Sequence, residues 1–313
     1  MRAPVVTVVG SANTDMIVRV PRLPARGETV LGGEFLSAGG GKGANQAIAA
    51  RRLGSEVYFV ARLGRDVFGD AALSAYEAEG LRTDFLVRDD RAPSGVALVI
   101  VEEAGENVIA VAPGANARLE PDDVRHASPA IARSDVLLTQ LEVPLDAVRV
   151  ALELARKAGV TTILNPAPAT ALPDDLYPLV DVLNPNRGEV AALAGVQVAD
   201  LDSAELAARR LLARGVRTVV VTLGGEGALV VTGHEARPIP SYRVASVDAV
   251  GAGDAFSAGL AVALAKGASP AEAAGYACAV GALATTRAGA QPSLPTAAEV
   301  QAFLTGRRWT EAH

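Results

Sequence analysis

The sequence predicts an α/β protein: a doubly wound, mainly parallel sheet with a small β-sheet lid beside it. Three observations carry this. From about residue 119 onward, short apolar runs alternate with helical patterns, the signature of consecutive βα units. Earlier runs alternate apolar with polar residues, as a half-exposed sheet does, and do not fit a parallel core. Half of the 313 residues are hydrophobic (50%), enough for a large interior. Residues 1–313 read as a single domain, with lid strands from about 14–38 and 94–112.

In chain order, PVVTVVG (4–10) is a strand and SANTD (11–15) a polar loop. MIVRV (16–20) and ETVLGGEFLSA (28–38) are the alternating strands. The glycines at 39–43 turn the chain into a helix from Ala44 to Leu53, stopped by Gly54. VYFVARLG (57–64) is a buried strand and VFGDAALSAYEAEG (67–80) a helix. SGVALVIVEE and NVIAVAPG form a hairpin turning at Ala104 and Gly105. After a further helix come the strand SDVLLTQ, the helix LDAVRVALELARKAG and the strand VTTILNPA. DVLNPN is a strand, RGEVAALAG and ELAARRLLARG are helices, and VRTVVVTLG, GALVVT and SYRVAS complete the strands. Helices close the chain at about 254–267, 270–286 and 296–304.

Composition excludes several classes. The net charge is −6 with the basic residues scattered, which disfavours a nucleic-acid partner. A single cysteine, Cys278, allows neither a disulfide within the chain nor a cysteine-based metal site. His126, His234 and His313 stand in no ligand or triad spacing. No apolar run is long enough for a membrane span, and the strand at Val5 leaves no secretion signal. The expected address is the cytoplasm.

Six stretches bear chemistry. SVDAVGAGDAFSAGL (246–260) puts Asp254 at the mouth of a helix, in a loop nearly free of side chains. Asp254 reads there as an N-cap or as a general base. Gly251, Ala252 and Gly253 would aim N–H groups out of the helix N-terminus, where anionic charge is stabilised. A base beside an anion hole is what phosphoryl transfer needs. GGGKGANQ holds Gly41, Lys42 and Asn45; it fails the Walker A pattern but suits a polyol, or serves as a helix-entry turn. Asn13 and Asp15 lie two apart, so in extended backbone they share a side, fit for adjacent hydroxyls unless they close an Asx turn. Glu142, in QLEVP, ends a buried strand, where parallel sheets bind ligands. NPNRGE places Asn186 three residues before Glu189: a capping pair, or an oxygen-rich approach to hydrated Mg²⁺. TLGGEG offers Thr222, Gly224 and Gly227 as an open loop on which a nucleotide can lie.

Taken together, GSANTD, GGGKGANQAIAARRLG, NPNRGE, TLGGEG, DAVGAGDAF and TRAGAQPSLP resemble the ribokinase-like, or PfkB, carbohydrate kinases in order and spacing over nearly the whole chain. The resemblance implies a doubly wound domain whose β lid forms a homodimer contact. It implies ATP-dependent phosphorylation of the 5-hydroxyl of D-ribose. Asn13, Asp15, Gly41, Lys42, Asn45 and Glu142 would contact the sugar. Asp254 would be the base and Gly251–Gly253 the anion hole. Asn186, Thr222, Gly224 and Gly227 would contact ATP, and Glu189 would support Mg²⁺. K⁺ would sit near Asp248, Val250, Ala284, Arg287, Gly289 and Ser293. Ala249 departs from the family, which has Thr, Ser, Val or Pro there. Alternatives are another acceptor within the family (deoxyribose, a ketose or a nucleoside) or a non-catalytic sugar-binding regulator, against which Asp254 and the intact glycine loop count. A dinucleotide oxidoreductase lacks its G-x-G-x-x-G directly after the first strand.

Overall fold

Strand β1 (Val5–Val9) is buried along its whole length and lies in the interior of the main sheet. The computed structural model describes residues 2–102 and 106–310, with side chains through 306. After β1 come β2 (Asn13–Val20), β3 (Phe35–Gly40), α1 (Lys42–Arg52), β4 (Glu56–Gly64), α2 (Val67–Ala78) and β5 (Leu86–Asp89). Next are β6 (Gly95–Glu102), β7 (Asn107–Ala112), α3 (Pro121–His126), α4 (Ser128–Arg133), β8 (Val136–Thr139), α5 (Leu145–Ala158) and β9 (Thr161–Leu164). Then follow β10 (Val182–Leu183), α6 (Arg187–Ala194), α7 (Leu201–Ala213), β11 (Thr218–Thr222), β12 (Ala228–Thr232) and β13 (Ala236–Ile239). The chain ends in α8 (Ala252–Ala265), α9 (Pro270–Ala284), α10 (Ala290–Ser293) and α11 (Ala297–Thr310).

The main sheet has nine strands in the order β13-β12-β11-β10-β9-β8-β1-β4-β5. All neighbours run parallel except β11–β12 and β12–β13. One face packs on α1, α8 and α9, the other on α5 and α7. Strands covered on both faces read as continuous Val, Ile and Leu runs, as these do. The second sheet, β3-β2-β6-β7, pairs β2 with β6 in parallel and is otherwise antiparallel. The expected doubly wound core and separate small sheet are both present.

Helix α1 has no polar face: Gly43 to Ala50 are buried without a break. Such a helix is interior, and its small residues let β1 and α8 approach closely. A Cβ on Gly43 would lie 2.5 Å from the Ser11 nitrogen and 2.6 Å from the Gly10 carbon. This contact seats the first turn of α1 on the end of β1. Helix α8 is likewise buried from Asp254 to Ala263.

Four element readings are corrected. SANTD is not a loop throughout: β2 starts at Asn13, which pairs with Gly40 on one side and Gly95 on the other. The 28–38 run forms strand only from Phe35; the Gly33 N–H turns to the Arg19 carbonyl, leaving Leu31 outside the ladder. SYRVAS forms no strand, because β12 takes Ala236–Ile239 as its antiparallel partner instead. Strand β5 was not expected. The hairpin of β6 and β7 is present, while its turn at Ala104 and Gly105 lies outside the described residues.

Replacing Gly43 by alanine forces a methyl group into backbone atoms that have no rotamer to yield. Overpacking of that kind costs roughly 1–3 kcal/mol. Urea unfolding of Gly43→Ala is expected to show a loss in that range, with the slope unchanged.

Candidate active site

Three segments bring carboxylates to the carboxyl end of β1. Asp15 comes from β2, Glu142 from the loop after β8, and Asp254 from the first turn of α8. Glu142 Oε2 accepts from Ser11 Oγ at 2.5 Å and from the Lys42 N–H at 2.9 Å, which ties the head of α1 to β8. Gly41, at φ +85°, is the residue before α1 and has no side-chain cap; a Cβ there would meet the Asn13 nitrogen at 2.7 Å. Asn13 Oδ1 accepts from Asn116 Nδ2 at 2.7 Å, which turns the Asn13 amide nitrogen free of that pair. Asp15 lies over Gly40 of the neighbouring strand, where a Cβ would stand 2.2 Å from its carboxylate. Asn13 and Asp15 do share one face of an extended strand. All six residues expected at the sugar come together here.

Asp254 is 7% exposed, and its charge is held by amides. Oδ2 accepts from Asn45 Nδ2 and Oδ1 from Gln46 Nε2, both at 2.9 Å. Burial pushes its pKa up, against the nearby Lys42 ammonium and the two amides, while Glu142 adds to the rise. Burial also raises Asp15, to about 6, with the charges of Glu142 and Asp254 contributing. Asn45 Oδ1 is buried without a protein partner. An orphaned acceptor beside crowded carboxylates is matched by a ligand rich in hydroxyl groups.

Beyond Asp254 opens a cleft of about 640 Å³, lined by Thr222, Gly224, Gly227, Ala252, Gly253 and Phe256, among others. Gly251 stands at φ +78° as the residue before α8. A Cβ on Gly253 would meet nothing within 4 Å, so the helix N-terminus faces open space. The Ala252 N–H is engaged, donating to the Ala249 carbonyl at 3.2 Å. Asn186 and Glu189 form a reciprocal cap: Asn186 Oδ1 accepts from the Glu189 N–H and Glu189 Oε2 from the Asn186 N–H, both at 2.8 Å. Capping occupies one oxygen of Glu189, whose pKa burial raises first of all, with Asp254 adding and Lys42 opposing. Asn186 bridges to Thr222, so the two lie side by side at neighbouring strand ends. Cys278 also lines the cleft, its thiol pushed up to about 12 by burial.

Asp248 joins two loops distant in sequence. Its Oδ1 accepts from the Val250 N–H at 3.0 Å and its Oδ2 from the Gly289 N–H at 2.8 Å. The Val247 and Asp248 N–H groups donate to the Thr285 carbonyl. Ser293 is buried and donates to the Ala290 carbonyl, while the Arg287 guanidinium turns to Glu299. Among the described residues no group of three or more His, Cys, Asp or Glu is arranged to hold a metal ion. Asp248, Val250, Gly289 and Ser293 are thus near one another, and an ion there would rest chiefly on carbonyl and hydroxyl oxygens.

Gln46, Gln140, Asn165 and Ser11 escaped the sequence reading. GANQ carries Gln46 next to Asn45, but neighbours on a helix point about 100° apart, so a shared target is not evident from spacing.

An open helix N-terminus carrying a buried carboxylate, between a hydroxyl-matched pocket and a cleft at the strand ends, defines a sugar kinase site on a doubly wound fold. The chain belongs to the pfkB family of carbohydrate kinases, whose model matches residues 4–297. It is 41% identical over 298 residues to a ribokinase of Haemophilus influenzae, covering 95% of this chain and 97% of that one. It is 37% identical over 252 residues to a deoxyribokinase of Salmonella typhi, covering 80% and 82%. The structure of Arabidopsis thaliana ribokinase complexed with ribose and ATP matches with a TM-score of 0.89 at 32% identity, covering 97% of this chain and 99% of that one. No described helix is long and apolar enough to cross a membrane.

Asp15 gives a pH signature. Its folded-state pKa, about 6, stands above the ordinary 3.8. The stability it contributes is therefore full below the unfolded value and lost as pH rises through the folded one. Asp15→Asn, neutral throughout, is expected to melt higher than the parent at about pH 7.5, with the gap closing at about pH 4. Calorimetric melting of both forms at the two pH values checks this.

Proposed function

We propose that the protein transfers the γ-phosphoryl group of ATP to the 5-hydroxyl of D-ribose, giving ribose 5-phosphate. The observation that carries it is Asp254: a carboxylate clamped by Asn45 and Gln46 at the mouth of α8, between the acidic pocket and the cleft. Residues 1–313 act as one kinase domain on this reading, with β2, β3, β6 and β7 as a lid. Asn13, Asp15, Lys42 and Asn45 hold the sugar hydroxyls, with Gly41 leaving room and Glu142 fixing the loop. Asp254 takes the proton as the hydroxyl oxygen attacks phosphorus. The N–H groups of Gly251 and Gly253 face the transferring charge, while Ala252 shapes the turn. Thr222, Gly224 and Gly227 line the nucleotide's path, with Asn186 beside Thr222.

Mg²⁺ neutralises phosphate charge when bound, and the second oxygen of Glu189 suits a water of its hydration shell. The loops of Asp248, Val250, Ala284, Arg287, Gly289 and Ser293 suit K⁺ through backbone carbonyls. A homodimer through the small sheet is supported by its exposed apolar side chains: Phe35, Leu98 and Val108 on one face, and Leu36, Ile109 and Val111 on the other. Patches of that kind mark contact surfaces. On the same reading the enzyme works in the cytoplasm.

The deoxyribokinase relative keeps a second acceptor in view. Buried hydroxyl-pairing groups reject analogues that leave them unpaired, so ribose is expected to exceed 2-deoxyribose and adenosine in kcat/KM. An ATP-consumption assay over pentoses, hexoses and nucleosides tests this; adenosine as the best acceptor would replace the reading. Asp254→Asn is expected to lower kcat roughly 10²–10⁴-fold, the usual worth of a general base, with ribose affinity nearly kept. Near-parent turnover would remove Asp254 from its role. K⁺ is expected to raise turnover severalfold over choline at constant ionic strength, and Asp248→Ala to blunt that response more than it weakens ribose binding. A flat titration of K⁺-free protein would remove the cation from the account.

A further inference from the structure

Behind Asp254 stand two side-chain amides to which the mechanism above gives no part beyond a single hydrogen bond. Gln46, on α1, and Gln140, at the end of β8, are both fully buried. Gln46 Nε2 donates to Asp254 Oδ1 at 2.9 Å and to Asn165 Oδ1 at 3.1 Å. Gln46 Oε1 accepts from Gln140 Nε2. A terminal amide can be turned either way, but its neighbours fix this one. Asn165 Nδ2 is already spent on the Asn184 carbonyl, so only Asn165 Oδ1 faces Gln46. Two acceptors on one side and a donor on the other leave Gln46 a single orientation. Gln140 fits because residue 10 is glycine: a Cβ there would stand 2.0 Å from Gln140 Oε1.

We propose that Gln140 and Gln46 form an oriented pair of amides that fixes the carboxylate plane of Asp254, so that a lone pair stays aimed at the acceptor hydroxyl. Asn45 completes the hold on the other oxygen. Each Asp254 oxygen then carries one hydrogen bond and keeps capacity for a second. Gln46 and Gln140 are positioning residues. The inference rests on the kinase reading for its catalytic consequence, but the hold on Asp254 is a property of the folded chain. Without the Gln46 donor, a buried carboxylate faces Lys42 as a nearby cation and Asp15, Glu142 and Glu189 as like charges. Its charged form is then less favoured.

Gln46→Met keeps length and loses the donor. A hydrogen bond to a buried charged group is worth enough to make the expected loss in kcat about 10–100-fold. Ribose affinity by titration calorimetry without nucleotide should stay within about threefold. The acid limb of the kcat profile should move to higher pH. Gln140→Glu sets a sharper test. While its introduced carboxyl is protonated it donates to Gln46 as the amide does. Once ionised it draws Gln46 Nε2 away and turns Oε1 toward Asp254. Turnover should therefore acquire a descending alkaline limb that the parent lacks, and Gln140→Met should not show it. Turnover of Gln46→Met within about twofold of the parent, or a parent-like profile for Gln140→Glu, would overturn the proposal and leave the kinase reading intact.

If the parent phosphorylates no sugar, the kinase reading falls, and melting still decides the pair. Loss of the donor raises the folded pKa of Asp254 further, so the fall in Tm with rising pH should extend to higher pH in Gln46→Met than in the parent. The same extension should vanish when Asp254→Asn is added. Superimposable melting curves against pH would overturn the proposal.

Discussion

The site turns on keeping a negative charge inside the protein. An isolated carboxylate in an apolar interior neutralises itself by taking a proton, and a base that is already protonated cannot accept one. Asp254 offsets part of this cost with two amide nitrogens at 2.9 Å, the Lys42 ammonium nearby and the N-terminus of its own helix. Each support comes from packing of the main sheet. The amides reach it because α1 has no bulky side chain where it crosses α8, and α1 sits there because Gly43 lets its first turn touch the end of β1.

The crowding of Asp15, Glu142 and Asp254 follows the same logic in reverse. Three acids within one pocket work against folding, and the raised pKa of Asp15 is the visible sign. Such groups persist where a ligand relieves them. A sugar presents several hydroxyl donors at once, each able to meet an acceptor in this pocket. The pocket is thus unfavourable for the chain alone and well matched to a polyol.

Much of this was legible in the sequence because the needed residues are unusual for their settings. Gly251–Asp254 stood out by having almost no side chains before an apolar helix, and Asn13 with Asp15 by alternation. The alternation of strands and helices carried the main sheet, and polar–apolar alternation the small one. What could not be read depended on which segments met. SYRVAS has the pattern of a strand, yet β12 had its partner nearer in the chain. Gln46 looked like one more polar residue in a helix until α8 was seen to cross it. Asn186 and Glu189 read both as a cap and as a metal approach, and the cap is what their hydrogen bonds form.

Cys278 is the one thiol of the chain, and it lies in the wall of the cleft with its proton held to about pH 12. Thiolates, not thiols, react with peroxides and disulfides. Burial thus keeps this thiol in its less reactive form, in contrast to the electropositive, open settings in which a cleft cysteine becomes a redox switch.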